Sequence, residues 1–176
     1  MKKEREILLS KEQIDNKVDE LGRLLTAEYE DKNLLVVGLL KGSFIFVADL
    51  IRHIDLDMVV EFMTTSSYRD STETTGIVRI VSDVERDLRD YDVLIVDDII
   101  DSGHTMKRVY EHLLEKEPKS LKTCTLLDKP SRRQVEFDCD YVGFTIEDKF
   151  IVGYGLNYGD YYRNINHIFV FVEDEN

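Results

Sequence analysis

Apolar and polar positions change rhythm repeatedly along the chain. Residues 10–31, SKEQIDNKVDELGRLLTAEYED, repeat Ile14, Val18, Leu21, Leu24 and Leu25 at helical spacing, with Ser10 as N-cap and Glu12 and Gln13 in the first turn. That predicts an amphipathic helix packed on a core. NLLVVGLL (33–40) is an unbroken apolar run, the pattern of a strand covered on both faces. After a Lys-Gly turn, SFIFVADLIRHI (43–54) predicts a helix capped by Ser43. MVVEFMTTSSY (58–68) and IVRIVSDV (77–84) predict strands. Between them RDSTETTG (69–76) is hydroxyl-rich and charged, which predicts a mobile loop or lid between structured flanks. YDVLIVDD (91–98) predicts another buried strand, and GHTMKRVYEHLLEKE (103–117) a helix stopped by Pro118. SLKTCTLLDKP (120–130) predicts a strand ended by Pro130, and the short strand-like pieces DYVGFTI, FIVGYGL and HIFVFVE follow.

Strands alternating with helices predict an α/β fold, a mainly parallel twisted sheet flanked by helices on both faces. Ligands of such sheets lie beyond the carboxyl ends of the strands, where Lys41, Asp97 and Lys129 fall. With 176 residues and 43% hydrophobic content the chain supports one core, so residues 1–176 are read as a single domain.

Charge narrows the partners. The excess of 36 acidic over 23 basic side chains, a formal −13, repels a nucleic-acid backbone at long range. A polyanionic small ligand needs a local cradle of amides, cations or a metal ion. No apolar run approaches the roughly 18–20 residues of a membrane span, and MKKEREILLSKEQI lacks the apolar region and cleavage site of a signal peptide. A cytoplasmic protein is expected, with Cys124 and Cys139 as two reduced, partly buried thiols.

The densest chemistry lies in VLIVDDIIDSGHT (93–105), where an apolar strand delivers Asp97, Asp98 and Asp101 almost side by side. Ser102, Gly103, His104 and Thr105 then lead into a helix whose first amides lack intrahelical acceptors, a cradle for a phosphate. The acids offer acceptors to hydroxyls and to Mg²⁺. A ribose 5-phosphate meets both demands. The plainer alternative is that Asp101 or Ser102 caps the helix while Asp97 and Asp98 are solvated.

On these residues the chain resembles the type I phosphoribosyltransferases, whose motif binds phosphoribosyl pyrophosphate (PRPP), and more closely their bacterial hypoxanthine-guanine branch. GLLKGSFIFVADL (38–50) resembles the family's pyrophosphate loop, SSYRDSTETTG (66–76) its lid, LLDKPSRR (126–133) its purine-contacting segment and residues 141–164 its base-binding hood. The resemblance implies Mg²⁺-dependent transfer of 5-phosphoribosyl from PRPP to hypoxanthine or guanine in purine salvage, giving IMP or GMP. It also implies a homodimer or homotetramer, and a hood built from the N-terminal segment and about 129–164. By the same resemblance Asp97 and Asp98 meet the ribose hydroxyls and the metal, Asp101, Ser102, Gly103, His104 and Thr105 hold the 5′-phosphate, and Ile99 and Ile100 belong to the same PRPP-binding stretch. Asp101 matches a general base near the purine N7. Lys41, Gly42 and Arg163 match pyrophosphate contacts, in a loop that often carries a cis peptide, and Ser67 and Tyr68 match the lid. Lys129 matches the contact to the 6-oxygen, Phe150 the stacking aromatic, and Lys149 and Ile151 its neighbours. Asn157 departs from the pattern: many relatives carry an acid there, which bears on a second metal and on xanthine preference.

Three rival readings stand beside this one, two from other classes and one within the enzyme class. A phosphoacceptor receiver domain needs several βα units between its acid pair and Lys-Pro, and residues 98–129 hold one. A non-catalytic regulator that keeps the PRPP site and binds RNA or protein is disfavoured, for RNA by the charge of −13 and in general by the retention of Asp101, Lys129 and Arg163. A transferase acting on xanthine or a pyrimidine shares the PRPP motif.

Overall fold

The computed structural model describes residues 4–70 and 73–172. In chain order the elements are β1 (Arg5–Leu9), α1 (Lys11–Glu28), β2 (Leu34–Leu40), α2 (Phe44–Ile51), β3 (Val59–Asp70), β4 (Glu73–Ser82), β5 (Asp92–Ile100), α3 (His104–Leu114), β6 (Ser120–Asp128), a 3₁₀ turn (Pro130–Arg132), β7 (Tyr141–Thr145), β8 (Ile151–Val152) and β9 (Ile168–Phe171). The large sheet runs β4-β3-β2-β5-β6-β7, with every neighbour parallel except the β3–β4 hairpin. A small antiparallel sheet, β1-β9-β8, stands apart from it.

The apolar runs of β2 and β5 are unbroken because both faces of the sheet are covered. Leu34 and Val36, with Leu94 and Val96, pack into the cluster that holds Ile14, Val18 and Leu25 of α1 and Phe46, Val47 and Leu50 of α2. Their neighbours Leu35, Val37, Val93 and Ile95 pack on the opposite face with Met106, Val109 and Leu113 of α3. Each such side chain stabilises the fold by about 1.5–3 kcal/mol of burial.

Local chemistry sets the helix ends. Ser10 Oγ accepts from Gln13 N–H while Gln13 Oε1 accepts from Ser10 N–H, a reciprocal capping box. Leu24 differs from expectation: it is 46% exposed, because the buried stripe runs Ile14, Val18, Leu21, Leu25 and carries Leu24 to its edge. Ser43 is the N-cap position of α2 but makes no capping bond; its hydroxyl donates back to Leu39 O instead. α3 ends at Leu114, three residues short of the predicted stop, since the residue before Pro118 is barred from right-handed helix and Glu117 takes φ 54°.

The tract read as a loop is largely strand. β3 continues to Asp70 and β4 begins at Glu73, with Arg69 opposite Thr74 and Asp70 opposite Glu73. Threonines there suit extended backbone better than their polarity suggests. Residues 71–72, and the side chains of Ser67 and Tyr68 on which the lid reading turned, lie outside the described residues. β1 was not anticipated at all. Its five residues find their partner, β9, at the far end of the chain.

Candidate functional site

β5 is central and stays paired with β6 as far as Ile100 opposite Asp128, whereas its pairing with β2 stops at Val96 opposite Gly38. The carboxyl end of β5 therefore projects past its neighbour, carrying Asp97 and Asp98. Both side chains are buried. Asp97 Oδ1 accepts from Asp98 N–H at 2.9 Å, and Asp98 Oδ1 accepts from Ile99 N–H at 2.9 Å. Burial raises the Asp97 carboxyl well above the usual range, and the neighbouring Asp98 charge adds to it. Burial also raises Asp98, opposed by its hydrogen bonds and by the charge of Arg163.

Beyond Ile100 the chain turns through Asp101, Ser102 and Gly103 into α3. Gly103 occupies the N-cap with φ 88°, a left-handed conformation, and a Cβ there would stand 2.9 Å from Arg133 Cδ and 3.0 Å from Val135 Cγ2. Glycine meets both demands and offers no side chain to cap the helix. Among the described residues the side-chain contact to these first amides is Ser102 Oγ, 3.5 Å from His104 N. The start of an eleven-residue helix is thus left open to an anion. The imidazole of His104 turns aside, its Nε2 3.1 Å from Gln134 Oε1. The acid pair, Asp101 and this helix start line one cavity of about 240 Å³, with Ser102 and Thr105 on its wall. A larger cavity of about 520 Å³ lies behind Arg163, between α1 and α2, and includes neither the acid pair nor the helix start.

The loop after β2 closes on the acids from the other side. A cis peptide bond joins Leu40 to Lys41. A Cβ on Gly42 would stand 2.1 Å from Asp98 Oδ2, and a Cβ on Gly155 would stand 2.1 Å from Gly42 O. Backbone therefore packs directly on backbone and on a carboxylate. The neighbouring Tyr154 is buried and its hydroxyl donates to Asp49 of α2 at 2.5 Å, which holds this stack together. Arg163 Nη1 donates to Gly155 O at 2.6 Å, so a half-buried guanidinium joins the same wall. Lys41 itself is exposed.

Past β6, Lys129 is buried and its ammonium donates to Lys149 O at 2.6 Å. That leaves further N–H donors on the same nitrogen. Phe150, one residue on, is 61% exposed and meets Tyr158 edge-on at 5.6 Å. An exposed aromatic face beside a buried cation suits a planar heterocycle. Ile151 is different: its side chain is buried in the core, so only its backbone borders this region. Lys149 is exposed, and Asn157 donates its own amide to Gly159 O at 2.6 Å.

Two buried, hard oxygen donors with a raised Asp97 carboxyl fit a divalent cation whose remaining ligands come from substrate and water. Among the described residues no cluster of three or more His, Cys, Asp or Glu side chains could hold a metal alone. Both cysteines are free thiols: Cys124 is fully buried and Cys139 is pushed by burial up to about 11.

Comparison with known proteins matches residues 5–159 to the phosphoribosyl transferase domain. The chain belongs to the phosphoribosyltransferase family. It is 47% identical over 173 residues to the hypoxanthine-guanine phosphoribosyltransferase of Aquifex aeolicus, covering 98% of this chain and 97% of that relative. It is 48% identical over 170 residues to the hypoxanthine phosphoribosyltransferase of Escherichia coli K12, covering 96% of each. A crystal structure of a hypoxanthine phosphoribosyltransferase from Staphylococcus aureus superposes with a TM-score of 0.91 at 45% identity, covering 95% of this chain and 91% of that one. Among the described residues no helix of this phosphoribosyltransferase is long and apolar enough to cross a membrane.

The arginine pair after Lys129 escaped the sequence reading. Arg132 Nε lies 2.9 Å from Asp101 Oδ1 and its Nη1 lies 3.3 Å from Asp148 Oδ1. Arg133 donates to Asp101 O at 3.2 Å and pairs with Asp128. The signal available was a second and third cation close behind a strand-end lysine, inside a segment otherwise assigned to purine contact.

Proposed function

We propose that this phosphoribosyltransferase carries the 5-phosphoribosyl group of PRPP to hypoxanthine or guanine, releasing pyrophosphate and forming IMP or GMP. The observation that supports this most is Asp97. It is a buried carboxylate with no ion pair among the described residues, facing a cavity shared with an uncapped helix start. A sugar diol with an associated cation satisfies the acids, while the terminal phosphate suits the amides of α3.

In this reading Asp97 and Asp98 bind the 2′ and 3′ hydroxyls and would hold Mg²⁺, which when bound would supply charge neutralisation as pyrophosphate leaves. The amides around Lys41 and Gly42 and the fork of Arg163 bind that pyrophosphate. The ring of Phe150 stacks on the purine, flanked by Lys149, the Ile151 backbone and Asn157. Lys129 donates to the 6-oxygen, and a 6-amino group would meet it donor to donor, so adenine is rejected. Asp101 Oδ1 is buried and accepts no hydrogen bond, which suits an atom that takes the imidazole proton as the glycosidic bond forms. Ser67 and Tyr68, at the β3–β4 hairpin, are placed by this reading over PRPP, where closure excludes water from the ribosyl centre. The N-terminal segment and about 129–164 form the hood. The protein works as a homodimer or homotetramer in the cytoplasm.

Initial rates with PRPP, Mg²⁺ and each base in turn test the proposal. Turnover with hypoxanthine or guanine, falling by roughly 10²-fold or more in Asp101→Asn, is the expected outcome. No turnover with any 6-oxopurine would remove it, and an undiminished Asp101→Asn rate would move the base elsewhere.

A further inference from the structure

Asp101 stands at a turn, 43% exposed, with a buried oxygen that accepts no hydrogen bond. Such a side chain has rotamer freedom that would blur its aim unless something fixes it. Two consecutive residues of the 3₁₀ turn region do so from different sides. Arg133 is anchored on Asp128 and donates to the Asp101 carbonyl, which fixes the backbone. Arg132 brings its Nε to 2.9 Å from Asp101 Oδ1 without aiming its N–H along that line, so the charge is near while the oxygen's lone pairs stay available. The same guanidinium reaches Asp148 at 3.3 Å, immediately before the Lys149–Phe150 pair. Both pairings of Arg132 are half-exposed. Pairs of that kind add little to stability, so orientation is what this bridge supplies.

We propose that Arg132 is a positioning residue for Asp101. By spanning Asp101 and Asp148 it holds the carboxylate toward the purine and ties that aim to the segment carrying the aromatic face. The inference rests on the reading of Asp101 as general base. Arg132 touches neither the phosphate cradle nor the acid pair, so its removal should act on kcat rather than on PRPP capture.

The test is a double-mutant cycle with Arg132→Gln and Asp101→Asn, measured as initial rates with PRPP, Mg²⁺ and hypoxanthine. Arg132→Gln should lower kcat about tenfold in the Asp101 background, with the KM for PRPP within about twofold, since small misplacement of a reacting group costs one to two orders of magnitude. In the Asp101→Asn background the same substitution should change kcat less than about twofold. Thermal melting should stay within about 4 °C of the parent. Arg132→Lys, which keeps the charge but cannot fork between two acids, should recover only part of the rate. An equal loss in both backgrounds, including one caused by misfolding, overturns the inference and leaves the general base in place. An Asp101→Asn rate equal to the parent's overturns the base assignment as well, so the two failures are told apart by the single mutant.

Discussion

Gly42→Ala makes the contact between the loop after β2 and the acid pair measurable. The added Cβ would lie 2.1 Å from Asp98 Oδ2 and 2.9 Å from its Cγ. To regain ordinary contact the oxygen has to retreat by about 1.3 Å. The loop cannot yield instead, because Gly42 O is pressed against Gly155, where even a Cβ would come within 2.1 Å. Asp98 must therefore rotate, stretching the 2.9 Å bond from Ile99 N–H and turning away from the position proposed for the sugar hydroxyls. Gly42 lies outside the positive-φ residues, so alanine accepts the backbone, and the stiffer unfolded chain offsets part of the clash by roughly 0.4–1 kcal/mol. Function should suffer more than stability. A displacement near 1 Å in a reacting constellation costs on the order of 10²-fold, equivalent to about 2.7 kcal/mol of transition-state stabilisation. Rates measured against PRPP at saturating hypoxanthine should show kcat/KM for PRPP lower by that factor, with melting close to the parent's. A kcat/KM within threefold of the parent would refute the argument that Gly42 and Asp98 share one wall of the site.

Two other substitutions probe separate parts of the site. Lys129→Met keeps the volume but removes the ammonium and leaves Lys149 O without its donor. We expect kcat/KM for hypoxanthine to fall roughly 10–100-fold, the worth of one charge-assisted hydrogen bond, while the preference over adenine shrinks; an unchanged preference would detach Lys129 from the 6-oxygen. Asp97→Asn should stabilise the metal-free protein at neutral pH while abolishing transfer. The folded carboxyl holds its proton above the unfolded value of about 3.9, so from there upward the folded state binds more protons and parent stability declines until the folded group has ionised. The melting-temperature advantage of Asp97→Asn in chelator should widen as pH rises from about 4 to 8, and a variant less stable than the parent at pH 8 would contradict a buried, unfavourable charge.

Patterns carried by neighbours in sequence were legible. Helical spacing found α1 and its Ser10 cap, apolar runs found β2 and β5 as buried strands, and β6 is legible as a strand ended by Pro130. The acidic strand end and Gly103 could be read as a phosphate site because strand, turn and helix start are contiguous. Features made by distant parts of the chain were not legible. β1 pairs with β9 across the whole sequence, and its exposed, mixed residues carry no period of their own. The place of Lys129 at a strand end is legible, but its burial is not, since that depends on β6, the Ile100 carbonyl and Lys149 coming together around it. Arg132 carries no local sign that its partners are Asp101 and Asp148. The Thr-rich tract differs for another reason: its polarity predicts a loop, whereas cross-strand pairing favours β-branched residues whatever their polarity.

The placement of charge also explains how so acidic a chain can attract a polyanion. A net −13 repels PRPP at a distance, yet that repulsion is screened over about 8–10 Å in physiological salt, while the contacts at the site act within a few ångströms. Where the phosphate is proposed to lie, the protein presents backbone amides with no side-chain acid capping them. The acid pair beside them is buried, with Asp97 pushed toward its protonated form by burial and by its neighbour. A cation brought in with the substrate would restore the value of those carboxylates, because its charge would offset the desolvation that raises them. On the proposed reading the acid pair is costly alone and favourable with a cation present, so the same residues that deter a bare polyanion would select one that arrives with its metal.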